Sequence, residues 1–169
     1  MKINVKKLVF AALIAALACV ATLVIHIPSP LGGYINLGDC IVLAGGWLLG
    51  PVYGFFAAGI GSALADVFLG YFIYAPATFI IKGLVAVLAC VLFKSFGKIK
   101  NKMLLYIICG VAAESVMVAG YYLFEGFMYG FVASLVNIPP NVIQGVVGVV
   151  AGALLAVVMS KTRISRMMK

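Results

Sequence analysis

Residues 8–25 read LVFAALIAALACVATLVI, eighteen consecutive positions without a charge. Wound as an α-helix they rise about 27 Å, close to the ~30 Å hydrocarbon core of a bilayer. Lys2, Lys6 and Lys7 precede the run, so it resembles a secretory signal. It is longer than the usual apolar core of a signal, no A-x-A site follows it, and Ala16-Leu17-Ala18 before Cys19 makes a poor lipoprotein box. We read it as a retained first transmembrane helix.

The rest of the chain repeats this character. Of its 169 residues, 66% are hydrophobic and 9% charged, with four acidic side chains, against about 25% charged in a soluble globular domain. Too little polar surface exists to cover a water-facing body. The composition excludes a soluble enzyme and a secreted disulfide scaffold. Cys19, Cys40, Cys90 and Cys109 stand singly in apolar stretches and read as small packing residues. Further spans are expected at 39–50, 52–70, 75–94, 103–124 and 138–160, with the first at 6–26. They are separated by Pro28 to Gly33, Gly50-Pro51, Gly70 to Pro76, Lys94 to Lys102 and Asn137 to Pro140. The expected fold is therefore all-α: a single transmembrane domain, residues 1–169, of six helices.

Charge sets the orientation. Eleven of the twelve basic residues precede helix 1, join helices 4 and 5, or follow helix 6. The loops at the other end carry none. The positive-inside rule places both termini in the cytoplasm of a multi-pass protein of the bacterial plasma membrane. The net charge of +8 is thus a topology signal, and no nucleic-acid partner is expected. Helix 2 is anomalous, because twelve residues rise only about 18 Å. Either it starts earlier or the 27–38 loop dips into the outer leaflet, where irregular backbone is tolerated only over a cavity or under protein.

Ionisable and amide groups inside a membrane mark candidate sites. Here they are Asp66, Lys82, Glu114, Asn141 and Gln144, most of them in the outer half. Tyr74, Thr78 and Lys82 form one helical stripe; Glu114, Tyr121 and Glu125 form a second; Asn137, Asn141 and Gln144 form a third. Three polar stripes cannot all face lipid, so they are expected to face one another around an outward cavity. Asp66 and Lys82 read equally as an ion pair or as ligand contacts. Asp39 reads as a cap on helix 2, and His26 as a boundary residue. The tyrosines read either as an interfacial belt or as aromatic walls around a flat ring. One histidine and scattered acids predict no metal site. No phosphate-binding loop, nucleophile elbow or zincin motif occurs, so no cofactor is expected and any ATP is hydrolysed by another chain. Helix 1 carries Ala11, Ala12, Ala15 and Ala16 near its cytoplasmic end. Such a face either packs within the subunit or docks a separate protein.

The stretches Gly33-Tyr34-Ile35-Asn36-Leu37-Gly38-Asp39, Gly50-Pro51, Gly59 to Asp66, Gly70-Tyr71, Ala75-Pro76-Ala77-Thr78 and Ile81-Lys82-Gly83, with Glu114, Gly120-Tyr121, Glu125 and Pro140 to Gly145, together resemble the S components of energy-coupling factor (ECF) vitamin transporters. The similarity is greatest to the riboflavin, pyridoxine and hydroxymethylpyrimidine group. The resemblance implies a binding subunit for a vitamin or precursor, partnered by a T component and two ATPase subunits, with the loop after helix 1 helping to close the site. With the polar stripes and aromatic walls read above, substrate contacts are expected from Tyr34, Asn36, Asp66, Tyr74, Thr78, Lys82, Glu114, Tyr121, Asn141 and Gln144. The resemblance also implies docking of the T component on an A-x-x-x-A pair, either Ala11/Ala15 or Ala12/Ala16. The rival readings are a self-sufficient proton-coupled secondary transporter or channel and, more weakly, a small membrane enzyme.

Overall fold

The computed structural model describes residues 5–161. Lys2, Arg163, Arg166 and Lys169, part of the basic asymmetry, lie outside the described residues. The helices are Val5–Val24 (α1), Gly38–Leu49 (α2), Pro51–Phe68 (α3), Ala75–Ser95 (α4), Lys102–Tyr129 (α5), Phe131–Ser134 (α6) and Ile138–Ser160 (α7). A single 3-10 turn, Leu135–Asn137, joins α6 to α7. Five segments are long and apolar enough to cross a membrane: α1, α3, α4, α5 and the run from Phe131 to Ser160. The short apolar α2 makes the sixth helix of the bundle.

The breakers act as their chemistry dictates. Gly50, with φ +86°, ends α2, and Pro51 opens α3 from the first turn, where its missing N–H costs nothing. Asn101 caps α5, its side chain accepting the Leu104 N–H at 3.2 Å. Helix α5 runs five residues beyond the expected 124, because nothing stops it before Gly130 at φ +94°.

The largest departure from the all-helix expectation lies between α1 and α2. Strands His26–Pro28 (β1) and Tyr34–Asn36 (β2) pair antiparallel, His26 facing Asn36 and Pro28 facing Tyr34. The Ser29 N–H closes on the Gly33 carbonyl at 3.1 Å, and Gly32 and Gly33 take the positive φ the turn requires. Three-residue strands between prolines and glycines leave no alternating pattern to read.

The six helices of the bundle close a ring in the order α1, α3, α4, α5, α7, α2, with α2 also packed on α3 and α4. This resolves the short helix. A twelve-residue helix flanked by four others need not match the bilayer, because protein rather than lipid covers it. Glycine makes the crowding possible: a Cβ on Gly46 would strike the backbone of Ala86 in α4. Val42, Leu43, Ala58, Val85, Ala86, Ala89, Ala113 and Met117 form the core where α2 to α5 meet. The outer surface is apolar, as lipid demands, with Leu13, Val20, Phe56, Ile80, Val111, Val146 and Val158 exposed. The described lysines other than Lys82 gather at the end of the bundle opposite the hairpin, at the start of α1 and α5 and the close of α4 and α7.

Candidate functional site

At the hairpin end the three polar stripes meet. A cavity there is lined by Thr22, Ser29, Gly32, Gly33, Tyr34, Asn36, Ser62, Asp66, Tyr74, Thr78, Lys82, Tyr121, Glu125, Asn141 and Gln144. Nine of the ten expected substrate residues are among them. Its free volume is about 20 Å³, room for one water. A ring-sized molecule enters only if the hairpin above it moves.

The floor is a chain of polar contacts linking five elements. Lys82 Nζ of α4 donates to Asp39 Oδ1 of α2 at 2.5 Å, both side chains withdrawn from solvent. Gln144 Nε2 of α7 donates to Asp39 Oδ2 at 2.6 Å. The Asn36 N–H of β2 donates to Gln144 Oε1 at 2.8 Å. Asn36 Oδ1 in turn accepts the Gly38 N–H at 2.8 Å and the Thr22 hydroxyl of α1 at 3.4 Å. Gln144 thus holds the hairpin to the ion pair.

The walls are aromatic. Tyr34 donates to Asp66 Oδ1, and its ring lies 4.9 Å from that of Tyr71. Burial, with the Asp66 carboxyl beside it, pushes the Tyr34 phenol well above its ordinary range, so it stays a donor. The Tyr121 hydroxyl pairs with Thr78 at 3.0 Å, and Lys82 stands 5.4 Å from the Tyr121 ring centre. On the remaining side Asn137 Nδ2 donates to Glu125 Oε1 at 2.9 Å and to the Gly32 carbonyl at 3.1 Å, while Asn137 Oδ1 accepts the Leu31 N–H. Tyr74 reaches the same Glu125 oxygen at 3.4 Å.

Two expectations, for Asp39 and Glu114, are corrected by this geometry, and of the two readings of Asp66 and Lys82 the ion pair is removed. Asp39 makes no side-chain cap; Leu37 is the N-cap, and Asp39 is the partner of Lys82. Asp66 consequently pairs with Tyr34 rather than Lys82. Glu114 does not line the cavity. It sits in a separate crevice of about 130 Å³ between α5 and α7, with Val111, Ser115, Val118, Val142 and Gly145. It shares a face with Tyr121 but lies about 10 Å deeper along α5, where α7 closes in: a Cβ on Gly145 would stand 3.2 Å from Glu114 Cβ. Among the described residues no cluster of His, Cys, Asp or Glu could hold a metal ion. Sequence reasoning left Ser62, Thr22 and Glu125 out of the site. Glu125 carried a signal in its place on the α5 stripe, and Ser62 in lying one turn before Asp66 on the same face of α3; Thr22, a small hydroxyl on an apolar helix, carried none.

A second concavity runs along α1 and α3, about 660 Å³ and almost wholly apolar, lined by Leu8, Ala12, Ala16, Val52, Phe56 and Ile60 among others. Ala12 and Ala16 are exposed, Ala15 is half-buried and Ala11 is buried against Ile14, Leu49 and Ala57.

A lipid-facing helical bundle with one polar cavity under a hairpin describes a membrane-embedded solute-binding protein, and the fold is that of solved S components. It superposes on the S component of a bacterial ECF transporter with TM-score 0.68 and 22% identity, covering 92% of this chain and 95% of the other. It superposes on the S component for biotin of an ECF-type ABC transporter with TM-score 0.67 and 19% identity, covering all of both chains. The chain belongs to the ECF-type riboflavin transporter S component family, whose model matches residues 2–161. An uncharacterised protein of Pyrococcus woesei is 34% identical over 143 residues, 84% of this chain and 93% of that one. The thiamine precursor transporter HmpT of Lactococcus lactis subsp. cremoris (strain MG1363) is 28% identical over 163 residues, 95% of this chain and 92% of that one. The protein is thus a multi-pass membrane protein of the substrate-binding subunits of ECF transporters.

Proposed function

We propose that this chain captures a small heterocyclic vitamin or vitamin precursor, of the pyridoxine, hydroxymethylpyrimidine or riboflavin class, in the cavity beneath the hairpin. Import then depends on a T component and two ATPase subunits. The observation that carries the reading is the convergence of tyrosine hydroxyls, three amides, carboxyls and one ammonium on a single cavity between aromatic walls. Such groups bind the edge and the faces of a flat polar ring together. The similarity to HmpT, a thiamine precursor transporter, favours the smaller rings. The hairpin end faces outward and the lysine-rich end faces the cytoplasm, in keeping with the positive-inside rule. Entry requires the hairpin to lift, and Gln144 and Asn137 are the side chains that hold it down.

The T component docks on the α1–α3 groove. Of the two alanine registers, exposure favours Ala12/Ala16, because Ala11 is already used inside the subunit. In lipid, helices associate through close packing rather than hydrophobic drive, so a bulky side chain on that face should hold the partner off. In Ala12→Trp, pull-down of the coupling module and ATP-dependent uptake should be lost while ligand binding by the isolated subunit persists. Intact assembly in that variant would refute the docking face. Uptake by the purified chain alone, without ATPases, would favour the rival secondary transporter.

A further inference from the structure

All four acidic residues of the chain, Asp39, Asp66, Glu114 and Glu125, are buried, and their balance with the bases is uneven. Among the described residues lining the cavity, Lys82 is the one base, and Asp39 already holds it at 2.5 Å. Asp66 and Glu125 line the same cavity, and neither forms a salt bridge among the described residues. Each uses one oxygen: Asp66 Oδ1 accepts from Tyr34, and Glu125 Oε1 from Asn137 and Tyr74. Each leaves the other, Asp66 Oδ2 and Glu125 Oε2, buried and without a hydrogen bond. The Thr78 hydroxyl, engaged by Tyr121, stands near Asp66 without closing a bond to Oδ2. A third lining atom, Ser62 Oγ, on a residue 3% exposed, is also unpaired.

Buried acceptors left without donors are rare in native proteins and unfavourable. Two carboxyl oxygens and a hydroxyl left unpaired on residues that line one cavity are most simply completed by what the cavity takes in. We propose that the ligand presents N–H donors or positive charge to Asp66 and Glu125, as an aminopyrimidine or an amine-bearing pyridine would, and that the site rejects phosphorylated and carboxylated forms of the same rings. An anionic group would find the ammonium engaged and two carboxyls opposite it, and like charges at close range oppose binding strongly. This inference rests on the vitamin-binding reading above and narrows it to one electrostatic class.

The test uses the full chain purified in detergent and isothermal titration with ring compounds matched except for charge. The probes are hydroxymethyl-aminopyrimidine and its phosphate monoester, then pyridoxamine, pyridoxine and pyridoxic acid. The expected result is that the amine-bearing member of at least one set binds, and that its anionic counterpart binds at least about 100-fold more weakly. Asp66→Asn and Glu125→Gln, both isosteric, should weaken the amine-bearing probe by roughly 5- to 150-fold and shrink the discrimination against the anion. Thermal unfolding of the same preparations confirms that the variants are folded. A phosphate monoester or pyridoxic acid bound as tightly as its parent would overturn the charge inference and leave vitamin binding standing, as would tight binding of neutral pyridoxine with pyridoxamine excluded. Riboflavin completes the panel, and binding of none of these rings would overturn both.

Discussion

Lys82 and Asp39 are among the most deeply buried side chains of the bundle, at 2% and 0% exposure, and each is there only because of the other. An ion pair out of water returns little net stability, yet removing one partner strands the other. Lys82→Met should therefore lower unfolding free energy by about 3–5 kcal/mol, read as a fall in thermal midpoint in detergent. The double variant Lys82→Met, Asp39→Leu should recover much of that loss, because no charge is left stranded. A double variant as unstable as the single would mean that the pair is not the reason for the loss. None of this was readable in the chain. An acid in the first turn of a helix reads as a favourable match to the helix dipole. Only the packing of α2 on α4 shows that Asp39 points inward.

At the scale of elements, one amide ties the hairpin to α2. Gln144 joins the Asn36 backbone of β2 to Asp39 of α2 through bonds of 2.8 and 2.6 Å. Gln144→Leu keeps the bulk but leaves a backbone N–H and a carboxylate oxygen unpaired, at a cost of about 1–3 kcal/mol. Hydrogen exchange of the amides in residues 34–36 should accelerate relative to those in the middle of α4. Unchanged protection would show that the hairpin is held elsewhere, with Asn137 the next anchor. The helices themselves were legible, since uninterrupted apolar runs and Gly/Pro breaks set most of their ends within a few residues. The polar stripes were legible too, because a period of 3.6 fixes which side chains share a face. Depth was not. Glu114 and Tyr121 share a face of α5, but the position at which α7 closes on α5 separates crevice from cavity. The hairpin was hidden for a related reason: three-residue strands gain their pairing from the bundle beneath, not from a pattern of their own.

For the whole molecule, two concavities share one bundle: a polar one at the hairpin end and an apolar one along α1 and α3. On the function proposed above, the cavity at the hairpin end takes the solute, and the alanine-lined groove along α1 and α3 takes the partner. Composition alone made lipid the solvent, and the lysine distribution gave the expected orientation. Which alanines stay free was decided by α3, whose Gly61 lets it lie against the Ala15 backbone and leaves Ala12 and Ala16 on the outside. The central claim is that a small ring compound binds among Thr78, Tyr121 and Asn141 beneath the hairpin. Native mass spectrometry of the chain purified from its own cells tests it most directly, comparing the unaltered protein with a Thr78→Val, Asn141→Leu variant. The account predicts one heterocyclic molecule held per chain by the unaltered protein and lost, or held at much lower occupancy, by the folded variant. The same molecule retained at equal occupancy by both would contradict it.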